Sequence, residues 1–120
     1  MGKLYLVSIG PGALDLIVPR ASEALKNSDV VIGHQLYLDL IHTLIKDKPQ
    51  IATPWGGEIE RVDMAINKAL DGKTVSLISS GDIGVYALAG LALERLESNE
   101  IKLDFEIIPG VTSANACASI

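Results

Sequence analysis

The chain has 120 residues, of which 48% are hydrophobic, 21% are charged and only 4% are aromatic, and its formal net charge is -5. This length is sufficient for one domain with a core of its own. The negative charge and the scarcity of aromatic side chains argue against a nucleic-acid partner. Cys117 is the single cysteine, so an internal disulfide is excluded. Without a long apolar run or a signal-peptide pattern, we expect a cytoplasmic protein that does not bind membranes.

Short apolar runs alternate with stripes of helical spacing along the whole chain. Helices are expected after the first strand to about Leu25, over Tyr37–Ile45 and Ile59–Leu70, and from Ala87 to Leu96, with a last one beginning near Ala114. Strands bounded by turns and separated by amphipathic helices are typical of a parallel sheet that is covered on both faces. The fold class predicted is therefore α/β, with a mainly parallel five-stranded sheet and helices on both faces. The predicted strands are Leu4–Val7, Val30–Ile32, Gln50–Ala52, Val75–Ile78 and Phe105–Ile108.

Three glycine-containing loops follow predicted strands, and the central one, Ser79–Tyr86, carries a carboxylate at Asp82. The other two are Gly10–Gly12 after the first strand and Pro109–Thr112 after the last strand. In an open α/β sheet, ligands bind at the carboxyl ends of the strands. We therefore expect the three loops to meet at one edge of the sheet and to form a small-molecule site there.

Each of these features also has a plain structural interpretation. The segment Gly10–Gly12 fits a tight turn, and Asp15 stands where the dinucleotide fingerprint would need its third glycine. Asp82 can cap the helix behind it, or it can accept hydrogen bonds from ribose hydroxyls or from a ligand amine. His34 at a helix start is either simply exposed or part of the site. The charged side chains of the third predicted helix are expected on its outer face, namely Glu58, Glu60, Arg61 and Lys68. No His/Cys/Asp cluster has metal-ligand spacing. Composition and pattern alone do not name the ligand.

The three loops together resemble those of the tetrapyrrole methylases. Residues Val7–Gly12 are similar to the family motif Val-Gly-x-Gly-Pro-Gly, and Ser79–Tyr86 to Ser-Gly-Asp-Pro-Gly-Val-Tyr. Residues Pro109–Ala116 are similar to Pro-Gly-Val-Thr-Ala-Ala-Asn-Ala. The chain departs from these motifs at Ser8, which is expected to crowd the first loop, and at Ile83, which replaces a proline. It also has Val18 where a threonine is usual, which removes a hydroxyl that could cap the first helix or contact the substrate.

Within the family, Val31–Ile41 and Gly56–Val62 resemble the enzymes that methylate carbon 17 of precorrin-3B or cobalt-factor III in cobalamin biosynthesis. The resemblance implies an S-adenosylmethionine-dependent C-methyltransferase that also contracts the ring of a corrin precursor. Transfer of an already activated methyl group mainly requires alignment of donor and acceptor, which agrees with the lack of a conspicuous acid–base constellation. Ring contraction would need proton transfers, for which Asp15 and His34 are the candidates.

Carried over by position, the resemblance also assigns residues to the two ligands. The tetrapyrrole would lie near the first loop and the second strand, close to Gly10, Gly12, Asp15, His34 and Tyr37. The methyl donor would contact all three loops, at Pro11, Ser80, Gly81, Asp82, Val85, Thr112 and Ser113.

The resemblance covers only the N-terminal half of a typical family chain. Residues 1–120 are thus expected to be the N-terminal α/β domain of a two-domain, homodimeric enzyme, inactive without its C-terminal domain. Two alternatives remain open on the sequence. The chain can come from a tetrapyrrole methylase that acts at a different ring carbon, or it can be a non-catalytic α/β ligand-binding module.

Overall fold

Five parallel strands form a single sheet in a computed structural model, which describes residues 2–10, 17–53 and 57–110, without the side chains of 81–84. The strand order is β3-β2-β4-β1-β5. Central strands β1 and β4 pair from Lys3 with Thr74 to Ser8 with Ser79, so their carboxyl ends are level. The strands are β1 (Lys3–Ser8), β2 (Val30–His34), β3 (Gln50–Thr53), β4 (Thr74–Ser79) and β5 (Asp104–Ile108).

Helices cover both faces of this sheet, which confirms the predicted fold class. The helices are α1 (Pro19–Asn27), α2 (Gln35–Leu40), α3 (His42–Ile45), α4 (Glu58–Leu70) and α5 (Gly81–Ser98). One core packs α4 and α5 on Leu4, Leu6 and Leu77 of the central strands. The other core packs α1, α2 and α3 on Tyr5, Val7 and Ile78. Strand residues alternate between the two cores because successive side chains point to opposite faces. No helix in the described part of the chain is both long and apolar enough to cross a bilayer.

Local sequence explains where several of these helices begin and end. Pro19 occupies the first position of α1, where its missing N–H removes no helical hydrogen bond. The residue before it, Val18, is the N-cap and offers no side-chain oxygen, as the departure from the family motif predicts. Helix α4 ends at Leu70, and Gly72 beyond it has a φ of 96°. Left-handed backbone of this kind favours glycine after a helix.

Two predicted elements differ from the structure. The single helix predicted over Tyr37–Ile45 is broken at Ile41, which has φ -112° and ψ 19°, so that α2 and α3 are separate helices. The apolar spacing continues across the break because the buried residues Leu38, Ile41 and Ile45 still face one core. The predicted loop over Ser79–Tyr86 is also wrong, since α5 begins at Gly81 and leaves only Ser80 between strand and helix.

Candidate functional site

The loop after β1 lies directly beside the end of β4. The Ile9 N–H donates a hydrogen bond of 2.9 Å to the Ser79 carbonyl, which extends the pairing of the two strands beyond β1. Next, Gly10 takes a φ of 66°, a conformation that favours glycine. Its N–H donates to the Ser8 side-chain oxygen at 3.2 Å. Ser8, the last residue of β1, is fully buried, and its hydroxyl holds the turn by accepting this hydrogen bond.

The loop after β5 reaches the same place from the other side of β1. A Cβ on Gly110 would lie 2.9 Å from the Ser8 Oγ, 3.2 Å from the Gly10 nitrogen and 3.2 Å from the Ser8 carbonyl oxygen. The backbones of the first and third loops are therefore in close contact. The predicted meeting of three loops at one sheet edge is confirmed for the described parts of those loops.

A cavity of about 410 Å³ opens over the carboxyl ends of β2 and β4. This position is a topological switch point of the sheet, because the segments after β2 and β4 go to opposite faces. Apolar side chains of β4 and α5 form part of the wall, and hydroxyl and charged groups form the rest. The lining residues are Tyr37, Glu58, Arg61, Ile78, Ser79, Ser80, Ala87, Leu88 and Leu91.

The position predicted for one charged side chain, that of Arg61, is wrong. The helical stripe of α4 suggested an outward position, whereas only 7% of the residue is exposed. Its Nε donates to the Thr53 Oγ1 at 2.7 Å, which links the first turn of α4 to the end of β3. A signal was present in the sequence, since Ala65 and Ala69 follow at intervals of four residues and are both fully buried. Glu58, one turn earlier, is exposed and lies at the cavity mouth.

His34 has a structural role at the end of β2. It is the N-cap of α2, and its Nδ1 accepts a hydrogen bond of 3.0 Å from the Leu36 N–H. Since Nδ1 accepts, the neutral ring carries its proton on Nε2. The His34 and Tyr37 rings are neighbours, with centroids 5.8 Å apart. Among the predicted substrate-binding residues, the structure thus brings His34 and Tyr37 together and places Tyr37 in the cavity wall.

The start of α5 forms the other end of the cavity. Ser80 is the N-cap with extended backbone, at φ -92° and ψ 120°, and the helix then runs for 18 residues. Asp82 therefore lies in the first turn of α5 and is not its N-cap residue. The apolar stripe of α5 sets this early start, because the fully buried Val85 already belongs to the core beneath it. Packing of this kind outweighs the low helix propensity of Gly81 and Gly84. Because the side chain of Val85 is buried in the core, only its backbone is available for contact with a ligand.

The remaining predicted site residues lie outside the described part of the chain. These are Pro11, Gly12, Asp15, Thr112 and Ser113. Among the described residues, no three His, Cys, Asp or Glu side chains are arranged to hold a metal ion.

Strong electrostatic coupling lies elsewhere, at the junction of β1, β5 and α1. Two nitrogens of the Arg20 guanidinium donate to Glu106, at 2.8 and 2.6 Å, and Lys3 Nζ lies 3.2 Å from the same carboxyl. The bond from Arg20, assisted by Lys3, lowers the pKa of Glu106 to about 2. Glu106 pairs with Tyr5 in the middle of β1, so this cluster is separate from the cavity.

Comparison with known proteins gives one consistent result. The family model described as Tetrapyrrole (Corrin/Porphyrin) Methylases matches residues 3–120. A cobalt-factor III methyltransferase from Priestia megaterium is 42% identical over 123 residues, covering 99% of this chain and 23% of the relative. A probable cobalt-factor III C(17)-methyltransferase from Salmonella typhimurium is 39% identical over 117 residues, covering 98% of this chain and 48% of the relative.

Solved structures agree with the sequence relatives. The crystal structure of the methyltransferase CobJ superposes with a TM-score of 0.87 at 30% identity, covering 99% of this chain and 50% of that one. A uroporphyrin-III C-methyl transferase from Thermus thermophilus, complexed with S-adenosylhomocysteine, gives a TM-score of 0.77 at 26% identity, covering 98% of this chain and 48% of that one. The present chain thus spans half the length of these proteins or less.

Proposed function

Because the chain belongs to the tetrapyrrole (corrin/porphyrin) methylase family, we propose that it forms the donor-binding part of an S-adenosylmethionine-dependent C-methyltransferase. The proposed substrate is a corrin precursor of cobalamin biosynthesis, precorrin-3B or cobalt-factor III, methylated at carbon 17 with ring contraction. The observation that carries the proposal is the cavity at the switch point, with the contacting loops of Gly10 and Gly110 at the same sheet edge.

The described residues fit an adenosyl-amino-acid ligand. A cavity of about 410 Å³ is within the usual size range of small-molecule sites, which is about 300–1,000 Å³. Its wall combines the apolar residues Leu88 and Leu91 with the polar residues Ser79 and Ser80. The backbone at Gly110 has no room for a Cβ, as expected where main chain must approach another group closely.

In such a reaction the protein binds the methyl donor and the acceptor, aligns them and excludes water. Bound S-adenosylmethionine supplies a methyl group that its sulfonium already activates toward an electron-rich carbon. The apolar residues Leu88 and Leu91 of α5 keep water from one side of the cavity. Fixed loops at Gly10 and Gly110 hold the geometry, because alignment of donor and acceptor contributes a large part of the rate in such transfers.

Individual roles follow the family motifs. We propose that the methyl donor contacts the first, central and last loops. The tetrapyrrole is proposed to lie near the first loop and β2. The tetrapyrrole residues proposed are Gly10, Gly12, His34 and Tyr37. The donor residues proposed are Pro11, Ser80, Gly81, Asp82, Val85, Thr112 and Ser113.

Proton transfers for ring contraction are assigned to Asp15 and His34. The cap on α2 constrains His34, because its Nδ1 is engaged by the Leu36 N–H. With the proton on Nε2, the neutral ring can donate a hydrogen bond there, and it can take up a proton at Nδ1 only by releasing the cap. We therefore propose that Asp15 removes the proton and that His34 takes part in proton transfer only when the cap opens.

The domain organisation is proposed from the resemblance together with the length of the relatives. This chain would form one wall of the donor cleft, and a C-terminal domain would form the other, in a cytoplasmic homodimer. Light scattering on a complete enzyme tests the dimer directly, since a mass of one subunit would contradict it.

Calorimetric titration with S-adenosylhomocysteine tests the function. The titration uses this chain and a hybrid in which it replaces the matched 117 residues of the Salmonella relative. Binding to the hybrid with methyl transfer to a corrin precursor is the expected result. A folded hybrid that binds no S-adenosylhomocysteine, beside a relative that does, would overturn the proposal and favour a non-catalytic binding module.

Asp82→Ala in the hybrid tests the central loop. Loss of a hydrogen bond to a ligand should weaken binding by about 1–3 kcal/mol. Unchanged affinity would remove Asp82 from the donor site.

A further inference from the structure

We propose that Arg61 is the anchor for a carboxylate of the bound ligand, in the cavity whose wall it shares with Tyr37. The inference rests on the proposed function, since both proposed ligands carry carboxylates: the amino-acid end of S-adenosylmethionine and the acidic side chains of a tetrapyrrole. The shared chemistry is an organic anion joined to an apolar body. This matches a cavity whose wall pairs Leu88 and Leu91 with one guanidinium.

Burial makes the Arg61 charge effective. Only 7% of the residue is exposed, so its field is screened by solvent far less than that of a surface arginine. A planar guanidinium also matches the two oxygens of a carboxylate. The bond from Nε to the Thr53 Oγ1, 2.7 Å long, fixes the group against the end of β3 before any ligand arrives.

A second positive contribution comes from α5. This helix of 18 residues begins at the cavity, immediately after Ser80. The N-terminus of a helix carries a partial positive charge and N–H groups without helical partners. The guanidinium and the helix terminus therefore act with the same sign, and the carboxylate of Asp82 in the first turn of α5 acts against them.

The net charge of this chain increases the importance of a local positive group. The chain has a formal net charge of -5, so its general field repels a polycarboxylate. Glu58 lines the same cavity but is exposed at its mouth, where water screens it. Since Arg61 is buried and Glu58 is not, the deeper part of the cavity favours an anion.

The test compares Arg61→Gln with the parent in the hybrid enzyme, using three probes. S-adenosylhomocysteine has the amino-acid carboxylate, methylthioadenosine lacks it, and uroporphyrin III supplies tetrapyrrole carboxylates. If Arg61 holds the donor, affinity for S-adenosylhomocysteine should fall about 10- to 100-fold while that for methylthioadenosine is unchanged. If it holds the tetrapyrrole, uroporphyrin III alone should lose a similar factor.

Arg95→Gln is the matched control. Arg95 also lies in the α4–α5 layer and makes hydrogen bonds of 2.7 and 2.8 Å to Asp63, outside the cavity. Arg61→Lys keeps the charge without the planar fork and should lose less affinity than Arg61→Gln. It also serves if Arg61→Gln does not fold.

Three results would overturn the inference. The first is unchanged affinity of the Arg61 variants for both carboxylate ligands. The second is an equal loss for methylthioadenosine. The third is an equal loss in the Arg95 control. Each of these leaves the proposed function intact, whereas failure of the parent hybrid to bind S-adenosylhomocysteine would count against the proposed function itself.

Discussion

Replacement of Gly33 by alanine should destabilise the protein through one identifiable contact. Gly33 lies in β2, and a Cβ built there would be 2.4 Å from the Ile78 Cγ1 and 3.1 Å from its Cδ1. Extended strand backbone suits alanine, so the effect is steric. Ile78 is 1% exposed and has little room to move. We expect Gly33→Ala to lower the free energy of unfolding by about 1–3 kcal/mol, the usual range for overpacking.

Urea unfolding measures this effect directly. With a slope of about 1–3 kcal/mol per molar urea for a small protein, the midpoint should fall by roughly 1 M. Gly90→Ala is the control, because Gly90 lies within α5 with no heavy atom within 4 Å of its built Cβ. There the same change should stabilise the protein by about 0.5–1 kcal/mol, since alanine is the better helix former.

A double-mutant cycle tests whether Ile78 is the cause. Ile78→Ala alone should cost about 2–5 kcal/mol by leaving a cavity. In the double variant, the methyl group of the new alanine at position 33 enters the space that Ile78 has vacated. The double variant should thus lose at least about 1 kcal/mol less than the sum of the single changes. Additive losses, or a midpoint unchanged in Gly33→Ala, would refute the reasoning.

Three further predictions concern other contacts. His34→Ala removes the cap on α2 and should cost about 1 kcal/mol in urea unfolding, whereas His34→Asn should restore most of it. The lowered pKa of Glu106 means that its ion pair with Arg20 stabilises the fold above about pH 4.5 and that this stabilisation is lost as the pH falls towards 2. Unfolding of Glu106→Gln should therefore depend less on pH across that window, and an unchanged slope would contradict the assignment. Ser28 donates to the Ala24 carbonyl at 2.7 Å, so Ser76 must donate to Ser28. Ser28→Ala should cost about 1–3 kcal/mol, and adding Ser76→Ala should recover part of that loss, as thermal melts can show.

The sequence predicts the layers of this fold well because burial sets a strong pattern. Apolar runs such as Val75–Ile78 lie in the middle of the sheet, and their flanking residues extend each strand by only one or two positions. Register and strand order are not encoded locally. They depend on which helix covers which face, as in the insertion of β4 between β1 and β2.

The site was less accessible to prediction from sequence than the fold. Glycines within Ser79–Tyr86 suggested a loop, but packing of Val85 on the core makes that segment helical. The charge of Arg61 suggested that its side chain is exposed to solvent, although its spacing of four residues from Ala65 placed it on the buried face of α4. In the first case, tertiary contacts decide between local preferences that differ by about 1 kcal/mol or less. In the second, the hydrogen bond to Thr53 satisfies part of the buried guanidinium of Arg61.

The strand order explains why the cavity draws on both helical layers. The chain places α1, α2 and α3 on one face as it moves outward from β1 to β3. It then reverses, and α4 and α5 cover the other face. Since β4 enters between β1 and β2, the segments that leave neighbouring strand ends diverge and open a crevice. Tyr37 from one layer and Arg61 from the other line this crevice together. A substitution that shifts either layer should therefore alter ligand binding, even where it contacts no ligand.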